Sequence, residues 1–377
     1  MLYSGSTMGK FIHAFWHIPG NSYQKLAKIE RFFGDWQYAW EKAAEKELIK
    51  AGLDLAFVKQ VIVLRKKLDL SKSLDLLWSN DIFLVDRECL EFPQELKQIP
   101  SPPFLLYRKG AALNELENRV AIVGMRKSSV QGEKLAFGLA RGLAYSGMTI
   151  VSGLAFGIDA AAHNGTIHAE GKTIGVLASG IGKITPTSHH NLAEKILSKG
   201  GAIISEYPVT AEALKFQFID RNRIIAGLAH TTVIVEAAKK SGALITAKHA
   251  LEQGREILAF PGDPGRIQSQ GCNNLIKDGE AQLVGSISDV QENLAGRELL
   301  KYSSRTSKVL EGNLNRVDWK ILEVISRGKY STDQLEQKMA EQWGPEGRDL
   351  LMESLSKMEM AGLIGKSSQF NWQRIAE

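Results

Sequence analysis

The chain has 377 residues, 44% hydrophobic and 24% charged, which excludes wholesale disorder, collagen and coiled coil and leaves room for two or three domains. A net charge of +5 admits an anionic partner without requiring one, so the location of the charge must decide. No stretch approaches the roughly 18 apolar residues of a membrane span, and residues 11–18 are too few and too rich in histidine for a signal-peptide core; a cytoplasmic protein with no membrane partner is expected.

Residues 1–77 read as a small helical module. Leu26, Ile29 and Phe33, then Leu48, then Phe57, Val61 and Leu64 recur at helical spacing, with Gly34 and Gly52 as breaks. Ile18-Pro19-Gly20 followed by Lys25-Leu26-Ala27-Lys28-Ile29 has the look of a helix-hairpin-helix, whose turn amides hold a nucleic-acid phosphate. The competing reading is a packing or oligomerisation module. Prolines 93, 100, 102 and 103 mark a boundary, and residues 102–107 read as an extended strand leaving a proline-locked turn.

Between residues 78 and 290 short β-branched runs alternate with amphipathic stretches. The runs are 120–123, 149–151, 173–177, 202–204, 232–235 and 256–259; helical patterns at 132–145, 157–168, 189–198, 221–228 and 242–253 separate them. One helix between each pair of strands implies right-handed crossovers, hence an α/β, Rossmann-like, doubly wound parallel sheet. Residues 291–313 turn polar, as a linker would. Residues 314–377 then offer helices at 317–325, from Ser331 and at 345–361, with strands at 362–364 and 369–372, the order of a winged helix.

In such a sheet a ligand binds beyond the carboxyl ends of the strands. The turns there carry Gly124-Met125-Arg126-Lys127, Ser152-Gly153-Leu154-Ala155-Phe156-Gly157-Ile158-Asp159, Ser179-Gly180-Ile181-Gly182-Lys183, Glu206-Tyr207-Pro208, Arg221-Asn222-Arg223, and Lys239-Lys240-Ser241-Gly242. Glycine lets main-chain amides approach a ligand, and helix N-termini and guanidinium forks complement phosphate. The edge therefore reads as an anion receptor, with Arg126, Lys127, Arg221 and Arg223 as its principal phosphate contacts. Each glycine turn alone also fits a purely structural βα connection. Arg221 and Arg223 cannot face the same side of one helix, so one of them is expected to pair with Glu206 or Asp220. Phe156, Phe216, Phe218 and Tyr207 flank the basic turns, and single-strand sites combine a basic track with aromatic platforms; the alternative for each ring is a place in the core.

The sequence lacks GxGxxG, GxxxxGK[ST] and GxSxG, which disfavours a dinucleotide cofactor, a Walker-type nucleotidase and an α/β hydrolase; no cofactor is expected. Cys89 and Cys272 form no CxxC pair and no disulfide framework, and His163, His168, His189, His190 and His249 form no close ligand set, so buried thiols and no metal are expected. Asp159 is placed either as an acid or base or, with preference, as a helix-end carboxylate.

Taken in order, Val120-Ala121-Ile122-Val123-Gly124-Met125-Arg126-Lys127, Ile150-Val151-Ser152-Gly153 through Asp159 with Ala162-His163, Ser205-Glu206-Tyr207-Pro208, Arg221-Asn222-Arg223 through Leu228, Val235-Glu236-Ala237 with Ser241-Gly242-Ala243-Leu244-Ile245-Thr246, and Phe260-Pro261-Gly262 resemble the motifs of the DprA/Smf DNA-processing proteins. The likeness spans about residues 78–285. It implies a bacterial cytoplasmic protein that binds and protects single-stranded DNA without sequence preference and loads the RecA recombinase during natural transformation. It also implies an extended Rossmann domain that forms a homodimer, preceded by a SAM-like helical domain and followed by a winged helix. By motif, Arg126, Arg221 and Arg223 fall in the DNA pocket. The family usually has Arg or Lys where this chain has Phe156, and Tyr-Pro where it has Thr185-Pro186, so base stacking on Phe156 replaces one phosphate contact.

Two other functions are weighed. A phosphoribohydrolase resembling the LOG family needs a glutamate after its glycine turn, whereas the comparable stretch from Ser241 meets no carboxylate before Glu252. A duplex-reading winged helix needs a basic third helix, yet 345–361 carries Glu346, Asp349, Glu353 and Glu359 beside Arg348 and Lys357, which suits protein contact better.

Overall fold

Four of the six opening helices start on side chains that satisfy their first free amides. Helix α1 spans Thr7–Trp16, α2 Tyr23–Phe33, α3 Trp36–Glu41, α4 Glu45–Lys50, α5 Leu55–Lys67 and α6 Leu70–Trp78. Ser22, Asp35, Asp54 and Asp69 accept from the amides of Lys25, Tyr38, Phe57 and Lys72 and so cap α2, α3, α5 and α6. Gly34 closes α2 in the left-handed conformation, φ 64°. Leu26, Ile29, Leu48, Phe57 and Val61 are buried as the spacing predicts. Lys25, in the expected hairpin, is bound internally, to the Gly20 carbonyl at 3.0 Å and to Asp54 at 3.0 Å.

This computed structural model describes residues 7–295, 316–326, 328, 330–343, 351–352, 354–355, 358–359, 364–366 and 371–374. The central sheet has nine strands in the order β1-β2-β6-β5-β4-β3-β7-β8-β9. They are β1 Ile82–Asp86, β2 Leu105–Gly110, β3 Arg119–Val123, β4 Thr149–Ser152, β5 Thr173–Leu177, β6 Ala202–Ser205, β7 Thr231–Ile234, β8 Glu256–Ala259 and β9 Gln282–Leu283. From β6 to β9 all neighbours are parallel, and β3 to β7 are buried on both faces, which is why these runs are continuously apolar and β-branched. The six expected runs all appear within a residue or two of their expected bounds. The sheet is nonetheless mixed: β2 pairs antiparallel with both β6 and β1, and β1 carries no signal that the sequence reading caught.

Helices α7 Gln94–Lys97, α11 Lys215–Leu228, α12 Gly242–Glu252 and α13 Gln270–Lys277 contribute to one core, and α8 Val130–Tyr145, α9 Ile158–His168 and α14 Ile287–Ala295 to another; α10 is His190–Ser198. A third core joins Phe15, Leu26, Trp40 and Phe57 of the opening helices to Leu105, Tyr107 and Ile203 of the sheet, so the helices seal one face of β2 and β6. Among the described residues no helix is long and apolar enough to cross a membrane. Cys272 is buried and Cys89 half-buried, and neither is in a disulfide.

Helix α14 extends to Ala295, past the expected start of the polar linker at 291; residues 296–313 lie outside those described. Beyond them stand helices Arg316–Ser326 and Thr332–Trp343 and an antiparallel pair, β10 Ile364–Lys366 with β11 Trp372–Arg374, the strands starting two and three residues later than expected. Of the expected helix 345–361, residues 351–352, 354–355 and 358–359 are helical and the rest lie outside the described residues. Ile321, Leu335, Leu355, Ile364 and Trp372 share a core, beside a buried Ser354 hydroxyl that donates to Asp318 at 2.7 Å.

Candidate nucleic-acid interface

Strands β4, β5 and β6 are laid outward from β3 on one side, and β7 then returns to its other side. The connections that leave β3 and β7 therefore part in opposite directions and open a crevice between them. A groove of ≈ 350 Å³ lies there, lined by Gly124, Arg126 and Lys127 after β3, by Asp159 of α9, by Phe218, Arg221 and Asn222 of α11, and by Lys240, Ser241 and Gly242 at the start of α12.

Arg126, Lys127 and Lys240 are exposed, and among the described residues none has a carboxylate within ion-pair distance. The Arg126 guanidinium lies 4.6 Å over the Phe218 ring at the groove rim. Phe218 is thus half-buried beneath a cation rather than a plain core ring. Ser241 caps α12 by accepting from the Ala243 amide at 3.3 Å, and the Asn222 amide donates to the Gly242 carbonyl at 3.3 Å, tying α11 to that turn.

Arg221 sits on the groove floor with only 4% of its surface exposed and is turned inward. Its Nη1 donates to the Gly153 carbonyl at 2.7 Å and to the Val176 carbonyl, and its Nε to Asn222 at 3.3 Å. Burial pushes its pKa down to about 10, while neighbouring Asp159 favours the charge, so it is cationic at neutral pH. A Cβ on Gly153 would stand 2.6 Å from an Arg221 Nη2, so glycine is required there for the guanidinium to reach the loop. Gly157 adopts φ 73°, and a Cβ on it would collide with the Met125 carbonyl; this glycine lets the second loop lie against the first.

Asp159 stands in the first turn of α9, but its buried carboxylate turns back to the preceding loop, accepting from the amides of Gly153 at 3.1 Å and Ala155 at 3.4 Å. Burial raises its pKa, opposed by Arg221 and these amides. Glu236 accepts from the Ser129 amide at 2.8 Å and hydroxyl at 2.5 Å, while Ser129 caps α8 through the Gly132 amide. Sequence reasoning missed this brace; the signal was Ser129 immediately before a helical pattern.

Six sequence-derived candidates stand outside the groove lining, among them Gly153, which holds Arg221 from behind. The Arg223 guanidinium donates to both oxygens of buried Glu206 at 2.7 and 2.8 Å, so it is the arginine of the pair that finds an internal carboxylate. Burial acts against its charge, and Glu206 more than compensates. Lys183 pairs with Glu212 at 3.0 Å on the surface. Ser152 is buried and donates to the Ile122 carbonyl at 2.7 Å, bracing β4 against β3. Gly157 shapes the loop from behind. Phe156 is 50% exposed but lies edge-on to His189, ring centroids 4.7 Å apart, outside the groove lining. Phe216 is exposed, and Tyr207 is buried against Trp16.

Residues 84–295 match the family described as DNA recombination-mediator protein A. The chain belongs to this family. It is 38% identical over 278 residues to Protein Smf of Escherichia coli, a match covering 72% of this chain and 74% of that one. It is 39% identical over 249 residues to Protein Smf of Synechocystis (63% and 62%), and 39% identical over 210 residues to DNA processing protein DprA of Bacillus subtilis (55% and 70%). The X-ray structure of DNA processing protein A from Streptococcus pneumoniae superposes with a TM-score of 0.63 at 31% identity, covering 75% of this chain and 97% of that one. A Helicobacter pylori DNA processing protein A, whose structure is described for its single-stranded DNA binding mode, gives 0.52 at 27% identity, covering 57% and 96%.

Proposed function

We infer that this chain binds single-stranded DNA without sequence preference, protects it and delivers it to the RecA recombinase in natural transformation. The observation that carries the reading is the Arg126–Phe218 stack at the switch-point groove, flanked by Lys127 and Lys240: a cation for a phosphate, with an aromatic ring beside it for a base. Arg221 supplies fixed positive charge from beneath, and Gly124, Asn222, Ser241 and Gly242 shape the walls. Arg223, Ser152, Gly153 and Gly157 support the pocket, Lys183 and Phe156 extend it along the surface, and Phe156 stacks a base. The chain acts in the cytoplasm as a homodimer, residues 1–77 as a SAM-like or helix-hairpin-helix module, 78–290 as the DNA-binding domain and 314–377 as a winged helix.

On this reading the chain is not an enzyme. Asp159 and Glu236, the carboxylates a nucleotide hydrolase would draw on, are held by loop amides and by Ser129. Release of free base from AMP that disappears on Asp159→Asn would count for the hydrolase instead.

The test is fluorescence anisotropy of labelled oligo-dT against its duplex, titrated with salt. Affinity for the single strand falls steeply with salt, each neutralised phosphate releasing roughly 0.7 counterions. Undiminished binding by Arg126→Ala with Lys127→Ala would overturn the reading. Charge reversal at Arg221 and Arg223 is a poor probe, because both are buried and their loss disturbs folding before binding is read.

A further inference from the structure

A second polar cluster lies far along the sheet from the groove, where the opening helices meet it. His13 of α1 and His17, four residues on, bring their Nε2 atoms to 3.1 Å, and the Ser73 hydroxyl of α6 stands 2.9 Å from one and 3.1 Å from the other. The imidazole rings are nearly perpendicular, 78° apart. On the far side of the buried His13 ring, Nδ1 lies 2.8 Å from the Tyr107 hydroxyl.

This triangle has more edges than protons. Each imidazole nitrogen offers one in-plane direction, either an N–H or a lone pair. Two facing nitrogens share at most one useful proton and the serine hydroxyl brings one more, so one of the three contacts is always left without a hydrogen bond. A cation resolves this, since all three atoms can then present lone pairs to one point. Neighbouring ligands about 2.1 Å from an octahedral ion stand about 3.0 Å apart, the edge length seen here. The Tyr107 hydroxyl supplies the outer partner that commonly fixes the orientation of a metal-bound histidine. The cluster opens on a cavity of ≈ 460 Å³, enough for the water molecules that a two-imidazole site needs, which His190, Glu194 and Lys109 also line. Among the described residues no set of three or more His, Cys, Asp or Glu converges, so the third protein ligand here is the Ser73 hydroxyl and the remaining positions fall to water.

We propose that His13, His17 and Ser73 hold a divalent late transition-metal ion, of the nickel or cobalt class, that clamps α1 to α6 beside the sheet. Imidazole ligation favours these ions over magnesium or calcium.

The test uses tag-free full-length protein titrated with Co²⁺ and followed by its visible absorption. One saturable equivalent is expected, with competition by Zn²⁺ and Ni²⁺ and none by Mg²⁺, and with a rise in melting temperature as metal is added. His17 is exposed, so His17→Asn keeps the fold, verified by circular dichroism; it should weaken Co²⁺ binding by about tenfold or more and abolish the thermal shift. Ser73→Ala should alter the cobalt spectrum with a smaller loss. Equal binding and an equal spectrum in wild type and His17→Asn, or no saturable binding by wild type, overturns the proposal and leaves an internal hydrogen-bond network only. Neither result bears on DNA binding.

Discussion

The Arg126 guanidinium rests 4.6 Å over the Phe218 ring, so one residue of the first βα turn and one of α11 form a single unit at the groove rim. Each needs the other: the ring orients the cation, and the cation covers a ring face that would otherwise meet water. Arg126→Ala is expected to weaken oligo-dT binding by about tenfold and to lower the salt slope by about 0.7. Phe218→Ala should cost about 1–3 kcal/mol of binding with the salt slope nearly kept. Anisotropy at several salt concentrations separates the two effects, and a Phe218→Ala slope reduced as much as that of Arg126→Ala would break the assignment.

Arg223 and Glu206 form a buried two-point ion pair, and removing one partner strands the other charge. Glu206→Gln or Arg223→Met should lower unfolding stability by about 3–5 kcal/mol. Urea denaturation of each single variant and of the double variant measures this, and the double should be less destabilised than the sum of the singles.

His13 and His163 are buried, and burial lowers each to about 3 from the usual 6.5. Below pH 6.5 the unfolded chain takes up protons that the folded chain refuses. Stability therefore falls as pH drops from about 6.5 toward 3, by about 1.4 kcal/mol per pH unit for each group. His163→Gln should remove one proton's share of that slope. Chemical denaturation at pH 7, 6 and 5 reads it directly, and a flat profile would contradict the burial of these rings.

Burial raises the Cys272 thiol to about 12, so little thiolate exists at neutral pH. Iodoacetamide at pH 8 should modify at most one cysteine, Cys89, in the folded protein and both in denaturant, as counted by intact mass.

Periodicity made the parallel strands legible, because a strand buried on both faces must be apolar and β-branched throughout. Strand β1 escaped because Ile82-Phe83-Leu84-Val85-Asp86 lies outside the regular alternation of runs and helices and pairs antiparallel with β2 across a proline-rich stretch. The basic turns were legible as a rim, and the groove does gather Arg126, Lys127, Arg221 and Lys240. What sequence could not tell was which guanidinium faces water: Arg221 and Arg223 look alike in a motif, yet one is absorbed by loop carbonyls and the other by Glu206. The His13–His17–Ser73 cluster depends on a contact between residues 56 and 60 positions apart, which no local pattern records.

The core shared by the opening helices with β2 and β6 sets the terms on which this protein can be shortened. The segment matching the family begins at residue 84, but Leu105, Tyr107 and Ile203 are kept dry by residues before it. A chain cut at that point inherits a greasy wall with no roof, and stays monodisperse only if those positions are repainted with polar side chains.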